Sequence, residues 1–281
     1  MKLGTERAEI YIPDGAAIEA AFARTTHMGI AAHQDDLEIM AFHGILECFQ
    51  RGDRGFFGVT VTNGGGSPRT GLYADYDDEQ MQEIRRSEQK KAAAIGDFSG
   101  LALLGYPSEA VKSAGHGVSE DLGALIRGGR PSVIYTHNLA DKHDTHVAVC
   151  MRVIETLRGL PADARPQQLL GCEVWRDLDW LPDEDKIALR VDGRDNLAAA
   201  LLGVFDSQIC GGKRYDLATL GRRRAHATYH ASHEVDVTEG LTFAMDLTPL
   251  ITDPEVDIAR YVSGFIERLR EDVVTRLTKL R

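Results

Sequence analysis

Two short stretches of the chain combine residue types that bind metals and move protons. The first is "AAHQDDLEI", residues 31–39, with His33, Asp35 and Asp36; the second is "HNLADKHDTH", residues 137–146, with Asp141, His143, Asp144 and His146. Zinc binds imidazole nitrogen and carboxylate oxygen, and its catalytic sites take three protein ligands and leave a fourth position for water. A His and a carboxylate three positions apart on one turn, joined by a distant His at a helix start, satisfy that count. A further carboxylate between the first two, here Asp35, is placed to take a proton from the water. The same residue types also cap helices, and Asp36, Asp144 and Thr145 each stand where a helix is expected to begin. Spacing alone leaves both readings open.

The elements that would position these residues follow from the hydrophobic pattern. From residue 27 to 107 the chain reads as a strand (27–32), a helix (about 37–50), a strand (58–62), the glycine-rich loop "NGGGSPRTG", the helix "EQMQEIRRSEQKKAAAIG" and the strand "LALLGYP". A helix near 120–127, the β-branched strand "PSVIYTHN" and the helix "HVAVCMRVIETLRG" continue the alternation. This pattern predicts an α/β fold, a Rossmann-like and mainly parallel sheet flanked by helices, in a single domain over residues 1–281. Such sheets bind ligands beyond the carboxyl ends of their strands. Both polar stretches lie there, and they converge if their strands are neighbours. The motif-bearing core runs over about 24–210. Residues 211–281, ending in the amphipathic helix "DIARYVSGFIERLREDVVTRLTKL", read as a C-terminal extension that covers one face of the sheet.

Composition narrows the partners. With 281 residues, 43% of them hydrophobic, the chain can fill a core of its own. Its 32 basic and 43 acidic residues give a net charge of -11, which repels phosphate backbones and anionic membranes, so neither nucleic acid nor a membrane is expected. Cys48, Cys150, Cys172 and Cys210 form no CxxC pair. The opening "MKLGTERAEIYIPDGAAIEA" lacks the apolar run of a secretion signal, so a cytoplasmic protein is expected. Homo-oligomerisation is left open.

Taken in order, the motifs resemble those of the PIG-L/LmbE-like N-acetylglucosaminyl deacetylases. "AAHQDDLEI" resembles that family's AHPDDxE signature and "DKHDTH" its DxHPDH signature; between them "TNGGG" is similar to its TxGxxG loop and "RRSEQKKAAAIG" to its RxxEAxxAAxxLG helix. With "SVIYTHN" and "FDSQI", the similarity spans roughly residues 27–210. The resemblance implies a zinc-dependent hydrolase, a metal-dependent amidohydrolase that removes acetyl from an N-acetylated amino sugar or sugar conjugate. It implies His33, Asp36 and His146 as ligands of Zn2+ or another divalent transition metal. Asp35 becomes the general base, and His143, protonated, the general acid and oxyanion partner. Arg85 is implied as a substrate contact, and Asp141 is expected on the substrate side with it.

The sequence departs from that pattern at named positions. Gln34 replaces the proline of the first signature, a change expected to affect turn stiffness. Thr145 stands where a carboxylate precedes the last His, which leaves Asp141 or Asp144 to orient and charge the histidines. Phe42 and His43 occupy places where the family carries glycines and are expected to crowd the pocket, although His43 beside Met40 also reads as a packed core histidine. "GRRRAHATYHASH" is read as a solvated loop or subunit contact, with anion binding as the competing function. Relatives that hydrate an unsaturated carboxylic acid on the same scaffold are the alternative activity. The helical HD phosphohydrolases are disfavoured, because the His143, Asp144 pair follows a strand. A non-catalytic binding protein on a decayed scaffold is disfavoured by retention of all five site residues.

Overall fold

The computed structural model describes residues 1–113 and 117–281. Its strands are β1 (Glu9–Tyr11), β2 (Thr25–Ala31), β3 (Gly55–Thr62), β4 (Gly100–Tyr106), β5 (Val133–His137), β6 (Gln168–Cys172), β7 (Ile187–Arg190) and β8 (Leu241–Asp246). They form one sheet in the order β1-β4-β3-β2-β5-β6-β8-β7. The five central strands, β4-β3-β2-β5-β6, are parallel, while β1 and the pair β8 and β7 join antiparallel at the two sides. Every residue of β3 is buried, as expected of a strand covered by helices on both faces.

Chain order reverses direction between β2 and β5, the switch point at which open parallel sheets form a crevice. The two strands are paired directly, with Met28 opposite Ile134 and Gly29 opposite Tyr135. The chain therefore leaves the sheet at Ala31 and at His137 side by side, and the two polar stretches meet. Gly29 sets how closely the next helix can lie on the sheet: a Cβ there would fall 2.6 Å from Leu37 Cδ2 and 2.7 Å from Phe56 Cζ. Leu37 packs into that space and seats the helix Asp36–Met40 over β2.

Three expectations change. The helix foreseen over 37–50 is two helices, Asp36–Met40 and Phe42–Cys48, broken at Ala41. Most of "GRRRAHATYHASH" lies on a helix, Tyr215–Tyr229, in which Arg223 and His226 are buried, so it is no solvated loop. The segment after 210 does more than cover a face: β8 is hydrogen-bonded between β6 and β7 within the sheet. The long helix Ile258–Lys279 forms as expected. No described helix is long and apolar enough to cross a membrane.

Candidate metal centre

His33 follows β2, Asp36 opens the short helix after it, and His146 lies in the first turn of the helix Asp144–Gly159 beyond β5. His33 Nδ1 lies 3.2 Å from Asp36 Oδ2 and 3.1 Å from His146 Nε2, and His146 Nε2 lies 3.4 Å from Asp36 Oδ2. A tetrahedral ion with bonds of about 2.0–2.1 Å separates its ligand atoms by about 3.3–3.4 Å. The triangle has edges of that size, so these residues fit a zinc-class ion. Two facing imidazole nitrogens also need a proton or a cation between them, since their lone pairs repel.

The buried surroundings support the same assignment. Burial alone would raise the Asp36 pKa, but His146, His137 and His33 outweigh it and hold the carboxylate well below its usual range. Asp36 does not cap its helix: Oδ2 accepts from the His33 backbone N–H at 2.7 Å, pulling the turn closed. Neither Asp144 nor Thr145 caps the later helix, whose N-cap is His143.

Asp35 sits at φ +98°, a left-handed conformation that costs a non-glycine residue about 1–3 kcal/mol. Its neighbours impose it. The Asp35 N–H donates to Gln89 Oε1 at 3.2 Å, and Arg85 Nη2 donates to the Gln34 carbonyl and lies 3.2 Å from Asp35 Oδ2. Burial pushes the Asp35 pKa up to about 6, against the pull of the Arg85 guanidinium. Arg85 is itself only 2% exposed, and its Nη1 lies 3.6 Å from Glu88 Oε2. Glu88 accepts from Ser207 N and Ser207 Oγ, which explains why "FDSQI" accompanies the arginine helix.

Gln34 does more than change turn stiffness. Its Nε2 donates to the Thr62 carbonyl at 3.1 Å, tying the first turn to the end of β3. Gly64, at φ +76°, then passes so close that a Cβ would meet Gln34 Oε1 at 2.5 Å.

The expectation for Asp141 changes. It does not line the cavity: Oδ1 accepts from His143 N at 2.9 Å, Oδ2 accepts from Trp175 N at 3.0 Å, and Oδ2 lies 3.6 Å from His146 Nδ1. It orients His146 from behind, as carboxylates do for metal-binding histidines. Asp144 is exposed, so of the two carboxylates that could stand in for the one missing at Thr145, Asp141 is the one that lies against the histidines. Burial, His146 and His33 press the His143 pKa below its usual value, against the pull of Asp36 and Asp141.

Sequence reasoning missed His137, although "THN" placed it at the end of β5. His137 Nε2 lies 3.5 Å from Asp36 Oδ2, but it accepts the Ala32 N–H at 2.8 Å, and its ring stacks on His146 at 3.9 Å. With that lone pair engaged, His137 braces the ligands. Arg223 was missed as well. It is buried, its Nη2 donates to the Glu38 and Ile39 carbonyls at the end of the Asp36 helix, and its Cζ lies 4.4 Å from the Phe42 ring centroid. Phe42 thus stays in the core under Arg223. His43 bonds the Tyr135 hydroxyl at 2.9 Å, and neither lines the cavity.

Above the triangle opens a cavity of about 530 Å³. Asp35, Arg85, His143 and Thr145 share its floor with His33 and Asp36. Its walls come from the glycine-rich loop, from Trp175 and from Tyr215, Thr219 and Arg222 of the Tyr215–Tyr229 helix.

A mainly parallel sheet covered by helices, with a His, Asp, His triangle at its switch point, defines an α/β protein with a candidate metal site. Residues 28–157 match the family model described as PIG-L, GlcNAc-PI de-N-acetylase. No curated protein matches the sequence. Among solved structures, N,N'-diacetylchitobiose deacetylase from Pyrococcus horikoshii is 16% identical with a TM-score of 0.60, covering 82% of this chain and 88% of its own. A conserved protein from Thermus thermophilus is 17% identical with a TM-score of 0.59, covering 83% of this chain and 99% of its own. The 4-carboxy-2-hydroxymuconate hydratase from Pseudomonas putida is 13% identical with a TM-score of 0.58, covering 79% of this chain and 96% of its own. At these identities the likeness is one of fold.

Proposed function

We propose that this protein is a metal-dependent hydrolase that removes the acetyl group from an N-acetylated amino sugar or sugar conjugate. The observation that carries the reading is the ligand triangle with Asp35 beside it at the floor of a sugar-sized cavity. His33, Asp36 and His146 would hold the ion, which we take to be zinc. When bound, such an ion supplies Lewis-acid polarisation of an acyl oxygen and makes water more acidic.

The chain's own groups do the rest. Asp35, largely ionised at neutral pH, takes a proton from the attacking water at a carboxylate oxygen. Arg85 holds that carboxylate in place and favours its charged form. His143, the second proton-carrying group on the floor, serves the departing nitrogen, which leaves as an amine while the acyl group leaves as acetate. Tyr215, whose ring stands at right angles to Trp175 and 6.1 Å from it, offers an apolar face to a sugar ring.

The test is acetate and amine release from acetamido sugars by the metal-loaded protein, with metal content measured in parallel. Release that disappears with the metal supports the reading. Hydration of an unsaturated carboxylic acid, with no acetate from any acetamido sugar, would replace it with the alternative activity.

A further inference from the structure

The charge on the cavity wall is opposite to that of the protein. The chain carries a net charge of -11, which on average repels anions. Above the floor, among the described residues, the cavity is lined by Lys112, Lys213 and Arg222 against a single carboxylate, Glu109. Neither contact seen at the last two cations neutralises charge: Arg222 Nη1 donates to the Val174 carbonyl at 2.7 Å, and Lys213 Nζ lies 4.9 Å over the Trp175 ring. The carbonyl fixes the Arg222 guanidinium at the wall, and the Trp175 ring holds Lys213 at the same cavity. Ser67, Ser108 and Thr219 add hydroxyl donors.

We infer that the substrate carries an anionic group, a phosphate or a carboxylate, on the part of the molecule that faces this wall, with Lys213 and Arg222 as its main partners. The inference rests on the deacetylase reading for the rest of the substrate. Arg222 accounts for part of the arginine run that the sequence left between solvent and anion binding. Three consecutive arginines divide their work by helical position: Arg222 faces the cavity, Arg223 is buried, and Arg224 pairs with Asp195 and Glu239 at the surface.

Three probes test it: N-acetylglucosamine 1-phosphate, the carboxymethyl glycoside of N-acetylglucosamine, and its uncharged methyl glycoside. With the metal-loaded protein, kcat/KM for amine release is expected to be about tenfold or more higher for an anionic probe than for the methyl glycoside. That ratio should fall about tenfold in the Lys213→Gln, Arg222→Gln double variant and shrink with added salt. The better of the two anionic probes identifies the anion. Equal kcat/KM for all three overturns the inference and leaves the deacetylase reading standing. Binding is read separately in Asp35→Asn through tryptophan fluorescence, since Trp175 lines the cavity. If no probe releases amine, but an anionic probe still binds more tightly in a way the double variant loses, the deacetylase reading falls and the anion site stands. No charge preference in binding or turnover overturns the anion site.

Discussion

His33 Nδ1 and His146 Nε2 face each other at 3.1 Å across 113 residues of sequence. With Asp36 they make a trap for a cation, and the trap should fail when one corner is removed. His146→Ala is expected to purify without metal, whereas Asp35→Asn should retain metal and lose at least about 100-fold in kcat, the usual weight of a positioned base. Metal analysis and amine-release kinetics check both. Full turnover by Asp35→Asn would remove it as the base.

Arg85 lowers the Asp35 pKa against the burial that raises it to about 6. Replacing Arg85 with Met removes the opposite charge, so the Asp35 pKa rises and its ionised form is reached only at higher pH. The acidic limb of the kcat/KM profile should move upward by about a unit or more. An unmoved limb in Arg85→Met would show that Asp35 does not control it.

Thr145→Asp would restore a carboxylate next to His143. An opposite charge at that range raises an imidazole pKa, so the form carrying a proton should persist to higher pH and the alkaline limb of kcat should shift up. Thr145 is 1% exposed, and burying a further acid there should cost about 1–3 kcal/mol in urea unfolding.

Arg223 joins the wall helix to the ligand helix through the Glu38 and Ile39 carbonyls. Arg223→Met leaves both carbonyls unpaired while relieving a buried charge. The expected net loss is about 1–3 kcal/mol of stability, together with weaker metal binding as the Asp36 turn loosens. Chelator competition and urea unfolding measure the two effects. Unchanged metal affinity would confine Arg223 to packing.

Glu173, buried just beyond β6, accepts from Leu178 N, Phe243 N, Thr242 Oγ1 and His226 Nε2. Burial raises its pKa, but His226 and these donors outweigh that and hold it below the usual carboxylate range. A depressed carboxylate contributes stability above its unfolded pKa and loses it as pH falls through the folded one. Glu173→Gln should therefore destabilise by about 3–5 kcal/mol at neutral pH, with the gap to wild type narrowing as pH is lowered through the carboxylate range. A constant gap would mean that the charge is not what stabilises.

The two polar stretches and their strands were legible because strand, turn, ligand and helix are contiguous in each. The convergence of His33 with His146 needed only β2 and β5 to be neighbours. What sequence could not give was the direction in which a side chain points. Asp141 has the residue type of a substrate contact and faces backbone amides instead. The segment looked solvated because the partners of Arg223, Phe42 and the Glu38 carbonyl, and that of His226, Glu173, are distant in sequence. Ala41, where the two helices part, carries no helix-breaking signal.

The place of β8 in the sheet has a consequence for biosynthesis. Strands β2 to β6 all lie before residue 173, so the switch point and the three proposed ligands have emerged early in translation. β6 and β7 do not pair with each other, and β8, starting at Leu241, must enter between them. Until about 70 further residues have emerged, a nascent chain presents two unsatisfied sheet edges, the kind of surface that pairs with other chains. Misassembly on the ribosome should therefore arise at the open edge of β6 and at β7.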